Sequence, residues 1–206
     1  MNQRNLLEVD WSKIPAPTDD GAAAHLAGMA VPPISLVATD DTSVTLSALS
    51  GRTVVFAYPR TGEPGKIALV DDWDMIPGAR GCTPQTCAFR DLFAELKAAG
   101  AKQVFGLSTQ SNAYQTEMAS RLHLPFPILS DEKLELTRAL DLPTMAVAEL
   151  TLIKRLSLIV DDGRISHVFY PVFPPDRNAG DVLHWLKENP VQLADIRRVG
   201  KAACPR

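Results

Sequence analysis

A layered α/β domain, with helices on both faces of a central mixed sheet, is the fold class this sequence predicts. Three observations carry it. Two apolar runs, Thr53-Val54-Val55-Phe56-Ala57-Tyr58 and Gln103-Val104-Phe105-Gly106-Leu107, read as strands of a sheet covered on both sides. A helical pattern separates them, and strand and helix patterns keep alternating to about residue 140. A β-hairpin with an Asp-Asp-Gly turn at residues 156–169 and a final helix close the domain. Elements patterned this way bury their apolar faces against one shared sheet, which gives three layers, α/β/α.

The elements follow in order. Residues 1–27 read as an N-terminal extension in which Pro15, Pro17 and Gly21 interrupt the chain and Leu6, Leu7 and Trp11 mark a short packed arm. The domain is placed at 28–190 and a C-terminal tail at 191–206. A first hairpin joins residues 34–37 to 43–46 across Thr39-Asp40-Asp41-Thr42. After the strand at 53–58 comes a loop over 59–81, rich in Pro and Gly. Connections of that length are uncommon, and are usually functional or disordered.

The next helix is expected over 83–99. Pro84 is tolerated in its first turn, Phe89, Leu92, Phe93 and Leu96 recur at helical spacing, and Gly100 stops it. The strand at 103–107 leads to a helix ending near Leu122, opened by Ser108-Thr109-Gln110-Ser111 with a hydroxyl cap. Residues 125–131 give a short strand and a cap, and 132–140 a further helix. The hairpin strands are 156–160 and 164–169, and the last helix covers 179–187.

The bulk numbers are those of an ordinary soluble globular protein, with 46% apolar and 22% charged residues in a chain of 206. A net charge of −3 leaves no electrostatic footprint for nucleic acid or an anionic membrane. No apolar run approaches the roughly 20 residues of a spanning helix. The first ten residues carry acids early and do not read as a signal peptide, so a cytoplasmic location is expected. Three cysteines do not make a secreted disulfide scaffold. Neither metal nor cofactor is expected, because a structural zinc site wants four ligands and no histidine lies near Cys82 and Cys87. Cys204, in a basic tail, reads as an exposed thiol without a role.

The chemistry centres on Gly81-Cys82-Thr83-Pro84-Gln85-Thr86-Cys87. A helix N-terminus or a nearby cation favours a thiolate, which is the nucleophilic form of cysteine. Cys82 stands at such a helix mouth, behind Gly81 and close in sequence to Arg80. A thiolate there could attack an electrophilic sulfur or a peroxide oxygen, and a sulfenic acid formed by peroxide condenses with a second thiol. Cys87 is the working partner. In an intact helix five residues rise about 7.5 Å, whereas a disulfide needs Cα atoms about 4.4–6.8 Å apart with converging Cβ atoms. A bond between Cys82 and Cys87 therefore requires the first turns to unwind. The plainer account, two small buried hydrophobes, fits Cys87 but not Cys82.

At these residues the chain resembles the peroxiredoxins, and within them the Q-type (bacterioferritin-comigratory-protein) group. Residues 81–87 look like that group's Pro-Gly-Cys-Thr-x-x-x-Cys active site. Tyr58-Pro59, Gly106-Leu107-Ser108, Leu124-Pro125-Phe126-Pro127-Ile128-Leu129-Ser130-Asp131 and Arg155-Leu156-Ser157-Leu158-Ile159-Val160-Asp161 resemble further family segments, in the family's order. The match covers about residues 28–188. It implies a thioredoxin-like fold and a thiol-dependent peroxidase of hydrogen peroxide or organic hydroperoxides. Cys82 would be peroxidatic, Cys87 resolving, and thioredoxin or a similar dithiol the reductant, in a monomer or homodimer. By the same matching Arg155 is the family's active-site arginine, with Lys154 as the substitute if the register slips by one.

Two departures stand out. The family carries a hydroxyl three residues before the cysteine, where this chain has Ala79, and an insertion separates Pro59 from Cys82. Thr61 is the expected replacement hydroxyl. Asp71, Asp72 and Asp74 with Trp73 read as a solvated lid and not as a metal site. Two other functions fit the same fold. One is a thiol–disulfide oxidoreductase, which the spacing wider than Cys-x-x-Cys disfavours. The other is a redox sensor or interaction domain that no longer turns over.

Overall fold

The computed structural model of the chain describes residues 9–191. In order they form β1 (Ser35–Ala38), β2 (Ser43–Thr45), β3 (Arg52–Ala57), α1 (Cys82–Asp91), α2 (Phe93–Ala98), β4 (Gln103–Ser108), α3 (Asn112–Arg121) and β5 (Ile128–Ser130). There follow α4 (Glu135–Ala139), β6 (Thr144–Val147), β7 (Leu150–Ile153), β8 (Leu156–Asp161), β9 (Arg164–Phe169) and α5 (Asn178–Glu188). Short 3₁₀ turns stand at Trp11–Lys13, Leu46–Ala48, Trp73–Met75 and Pro175–Arg177.

Seven strands make one sheet in the order β2-β1-β5-β4-β3-β8-β9. β3 runs parallel to β4, and β4 to β5, while β8, β9, β1 and β2 join antiparallel, so the sheet is mixed. Side chains alternate faces along a strand, and β3 shows the consequence. Val54, Phe56 and Tyr58 enter a core with Phe89, Leu96, Met118, Val182 and Leu186, under α1, α2, α3 and α5. Val55 and Ala57 face the other way, into a core with Leu136 of α4 and Leu140 just beyond its end. Ala23 and Leu26 are buried in that second core, so the segment before residue 28 packs into the domain.

Three differences from the expected elements have local causes. The helix expected over 83–99 is split at Leu92, whose φ −98° and ψ 12° lie outside the helical region. The realignment sets Phe93 against Phe126, at 5.8 Å between rings, while Leu96 still reaches the core. α3 begins later than its polar run, because Ser111 is the cap that accepts from Tyr114 N. β6 and β7 form a separate hairpin turned at Ala148, with φ 52°. That turn has no Gly, Asn or Asp to announce it, unlike the β8–β9 turn, where Asp162 and Gly163 both take positive φ.

The acids of the insertion are only partly a solvated lid. Asp71 and Asp72 are exposed, but Trp73 is buried at 7% in a third apolar cluster with Ala79, Val147 and Leu152. An indole is too apolar to leave in water when the β6–β7 hairpin offers it a face. No helix among the described residues is long and apolar enough to cross a membrane. Cys204 and the arm residues Leu6 and Leu7 lie outside the described residues.

Candidate active site

Cys82 is the first residue of α1, entered through Gly81 at φ 100°. A Cβ at Gly81 would lie 2.6 Å from the Trp11 ring and 2.7 Å from Pro175, so backbone conformation and close packing both require glycine there. The thiol is 3% exposed and free. It lines a cleft of about 780 Å³ together with Thr61, Arg80, Pro84, Trp73 and Tyr114.

Arg155 sits in the turn between β7 and β8, 2% exposed, and reaches across to the helix mouth. Its Nη2 lies 3.3 Å from Cys82 Sγ and within 3.0–3.4 Å of the carbonyl oxygens of Gly78, Ala79 and Arg80. Nη1 donates to Gln85 Oε1. Gln85 Nε2 donates in turn to Asn178 Oδ1 at 2.9 Å, which also accepts from Ser157 Oγ at 2.7 Å. All four members are buried, so each hydrogen bond replaces one that water would otherwise make. The network ties α1, β8 and α5 to one guanidinium. Lys154 points elsewhere, pairing with Asp20 at 2.5 Å.

Thr61 is buried beside the same cleft. Its N–H and its hydroxyl both donate to Gln110 Oε1, at 2.8 and 3.1 Å, and its carbonyl accepts from Tyr114 Oη at 3.0 Å. Ala79, which has no hydroxyl to offer, accepts through its carbonyl from Cys82 Sγ at 3.5 Å. Tyr58, fully buried at the end of β3, donates to Gln115 Oε1. Burial first, and negative charge at Cys82 second, hold its phenol well above the usual tyrosine range.

The structure thus sets Cys82 and Thr61 on one cleft, with Arg155 reaching Cys82 Sγ from behind the residues that line it, and it does not bring Cys87 there. Cys87 is buried in the aromatic core with Phe56 and Phe89 and is not among the residues lining the cleft. Burial pushes its thiol up, with Arg90 opposing. Gln85, Asn178, Ser157 and Gln110 are site residues that the sequence did not disclose. Gln85 alone left a signal, since three residues after Cys82 it shares that helix face. Among the described residues no three His, Cys, Asp or Glu side chains converge as a metal site would require.

A sheet of this order with a thiol in the first turn of the helix after β3 defines the thioredoxin-like class of thiol redox proteins. The chain belongs to the Redoxin family, whose model matches residues 26–183, and within it to the peroxiredoxin Q/Bcp group. Peroxiredoxin Bcp of Escherichia coli K12 is 32% identical over 168 residues, covering 79% of this chain and 96% of that one. Peroxiredoxin Q, chloroplastic, of Oryza sativa subsp. japonica is 32% identical over 162 residues. Those cover 78% of this chain but 66% of the rice protein, so the chain spans just under two thirds of that relative's length. Among solved structures, Peroxidoxin BcpB from Mycobacterium tuberculosis superposes with a TM-score of 0.62 at 25% identity, covering 79% of this chain and 96% of that one.

Proposed function

We propose that the chain is a thiol-dependent peroxidase that reduces hydrogen peroxide or organic hydroperoxides through Cys82. The observation that carries this reading is the buried Arg155 guanidinium 3.3 Å from Cys82 Sγ. A cation so placed favours the thiolate and the negative charge that moves onto the peroxide oxygens.

The thiolate attacks one peroxide oxygen. The S–O bond forms as the O–O bond breaks, the sulfur loses two electrons, and the leaving oxygen takes up a proton to become water or an alcohol. Thr61, with its proton committed to Gln110, retains lone pairs that can accept from the peroxide O–H. The Cys82 sulfenic acid then condenses with the Cys87 thiol, releasing water and forming an intramolecular disulfide. A dithiol protein such as thioredoxin returns both sulfurs to thiols by exchange, in a reducing compartment such as the cytoplasm.

Stopped-flow mixing of the reduced chain with hydrogen peroxide tests the first step. The expected result is a second-order rate orders of magnitude above that of a free thiol, abolished in Cys82→Ser. A rate no faster than a free thiol overturns the reading. In Cys87→Ser one equivalent of peroxide leaves Cys82 as sulfenate by mass spectrometry. Normal turnover of that variant with thioredoxin overturns the role of Cys87.

A further inference from the structure

Three hydroxyls line the cleft over Cys82, on Thr61, Thr83 and Tyr114. A hydroxyl has one proton to donate and two lone pairs that accept, and left free it rotates between the two uses. Among the described residues only the Thr61 hydroxyl gives its proton to a buried side chain, the Gln110 amide, whose Oε1 lies at 3.1 Å. The Thr61 N–H donates to the same oxygen at 2.8 Å, so both of its lone pairs are taken. Gln110 Nε2 donates back to the Thr61 carbonyl at 3.3 Å. The amide cannot be turned over, because its NH₂ would then face two donors and its oxygen a carbonyl.

Gln110 is itself held. It is 3% exposed, in the connection between β4 and α3. Its N–H donates to Ser108 Oγ at 3.3 Å, and its carbonyl accepts from Ser130 Oγ at 2.8 Å and Gln115 Nε2 at 2.9 Å. Gln115, fully buried on α3, accepts in turn from Tyr58 Oη at 3.0 Å. Thr61 is thereby anchored to the ends of β4 and β5 and to α3, whereas Ala79 belongs to the loop that enters α1. Gln110 is not among the residues lining the cleft, so it acts on a peroxide there only through Thr61.

We propose that Gln110 is a positioning residue of the peroxide step, fixing the Thr61 hydroxyl as an acceptor for the peroxide O–H. With its proton held by Gln110, Thr61 offers the cleft lone pairs alone. A rotor free to donate as well would hold the peroxide in more than one orientation, and attack is fast only from an aligned one. The inference rests on the peroxidase reading and adds to it a residue that the sequence motifs do not contain.

The test compares two reactions of the reduced chain at Cys82, read by stopped flow and mass spectrometry. One is with hydrogen peroxide. The other is with methyl methanethiosulfonate, which reports the thiolate and its access but has no O–H or N–H for Thr61 to accept. Gln110→Met should slow the peroxide reaction about tenfold, the upper end of what one net hydrogen bond carries, and leave the other within twofold. Gln110→Asn, one carbon short of Thr61, should lower the same ratio of rates. Gln110→Glu should restore most of it, since a carboxylate accepts from both Thr61 donors. Thr61→Val should lower the ratio at least as far as Gln110→Met, and adding Gln110→Met to it should change nothing more. An unchanged ratio in Gln110→Met and Gln110→Asn, an unchanged ratio in Thr61→Val, or additive losses in the double variant overturn the inference. Fast peroxide reduction by the natural chain leaves the peroxidase reading standing in each of those cases, and a rate no faster than a free thiol overturns both.

Discussion

Arg155 is a cation with 2% exposure and five partners, among them the thiol it serves. Burying such a charge is costly unless its donors are used; Nη1 and Nη2 have acceptors, the buried Nε has none among the described residues, and the three carbonyls of residues 78–80 use the guanidinium to fix the loop before α1. Lysine keeps the charge but not the planar fork. Arg155→Lys should therefore slow the peroxide step about 100-fold, the lower end of what losing one preorganised donor costs, read by stopped flow against unchanged far-UV dichroism. A loss under fivefold would place the catalytic cation elsewhere. Gln85→Leu should cost about 1–3 kcal/mol in urea unfolding, because it leaves buried Arg155 Nη1 without its acceptor and Asn178 Oδ1 with Ser157 alone. At this scale the meeting of Cys82 with Arg155 could be expected from their compact motifs, whereas Cys87, in the same motif as Cys82, stands outside the cleft. Asn178 and Ser157 were not legible, since they join the site from 21 residues apart only through the sheet.

α1 carries the conformational demand of the proposed cycle, because Cys82 begins it and Cys87 stands within it, in the aromatic core. Disulfide formation has to break the Gln85 N to Gly81 O bond and the Thr86 Oγ1 to Cys82 O bond, and to lift Gln85 from Asn178. The N-terminal arm adds to that hold. Trp11 lies against Gly81, packs edge-on to Phe173 at 6.0 Å and donates to Asp176 at 2.8 Å. Local opening is governed by such contacts. Trp11→Ala should speed disulfide formation after peroxide by about tenfold, the factor set by about 1.4 kcal/mol of lost packing. Quenched-flow thiol trapping checks it, and an unchanged rate would mean the arm does not restrain α1. The strands and helices around this element were legible from their periodicity. The break at Leu92 and the β6–β7 hairpin were not, for tertiary packing sets the first and a turn without glycine or asparagine hides the second.

Across the whole molecule, the sheet divides the chain into an aromatic core that holds Tyr58, Cys82 and Cys87, an aliphatic core behind it, and a cluster anchored by Trp73 under the insertion. The two large cores followed from alternation along β3. The third did not, because a loop rich in Pro and Gly has no period from which a buried face can be read. Placing ionisable groups in the aromatic core links stability to pH. Burial raises the Cys87 thiol above its ordinary value of 9.0 and the Tyr58 phenol well above 10.0. Each group keeps its proton longer in the folded chain than in the unfolded one, so the folded state binds more protons as pH rises past the ordinary value. The sign follows: this contribution is fully present below about pH 8 and is lost as pH climbs through the ordinary thiol range toward the raised folded value. Under reducing conditions the urea midpoint should fall from pH 8 to 10, with Cys87 contributing at most about 1.36 kcal/mol per pH unit. Cys87→Ala starts lower, having lost packing in the core, but its midpoint should fall less steeply over the same interval. Equal slopes in the two proteins would mean that Cys87 titrates alike folded and unfolded, and that its burial does not hold back its thiolate. A steeper slope in the natural chain makes opening of α1 the event that frees the second thiol to react.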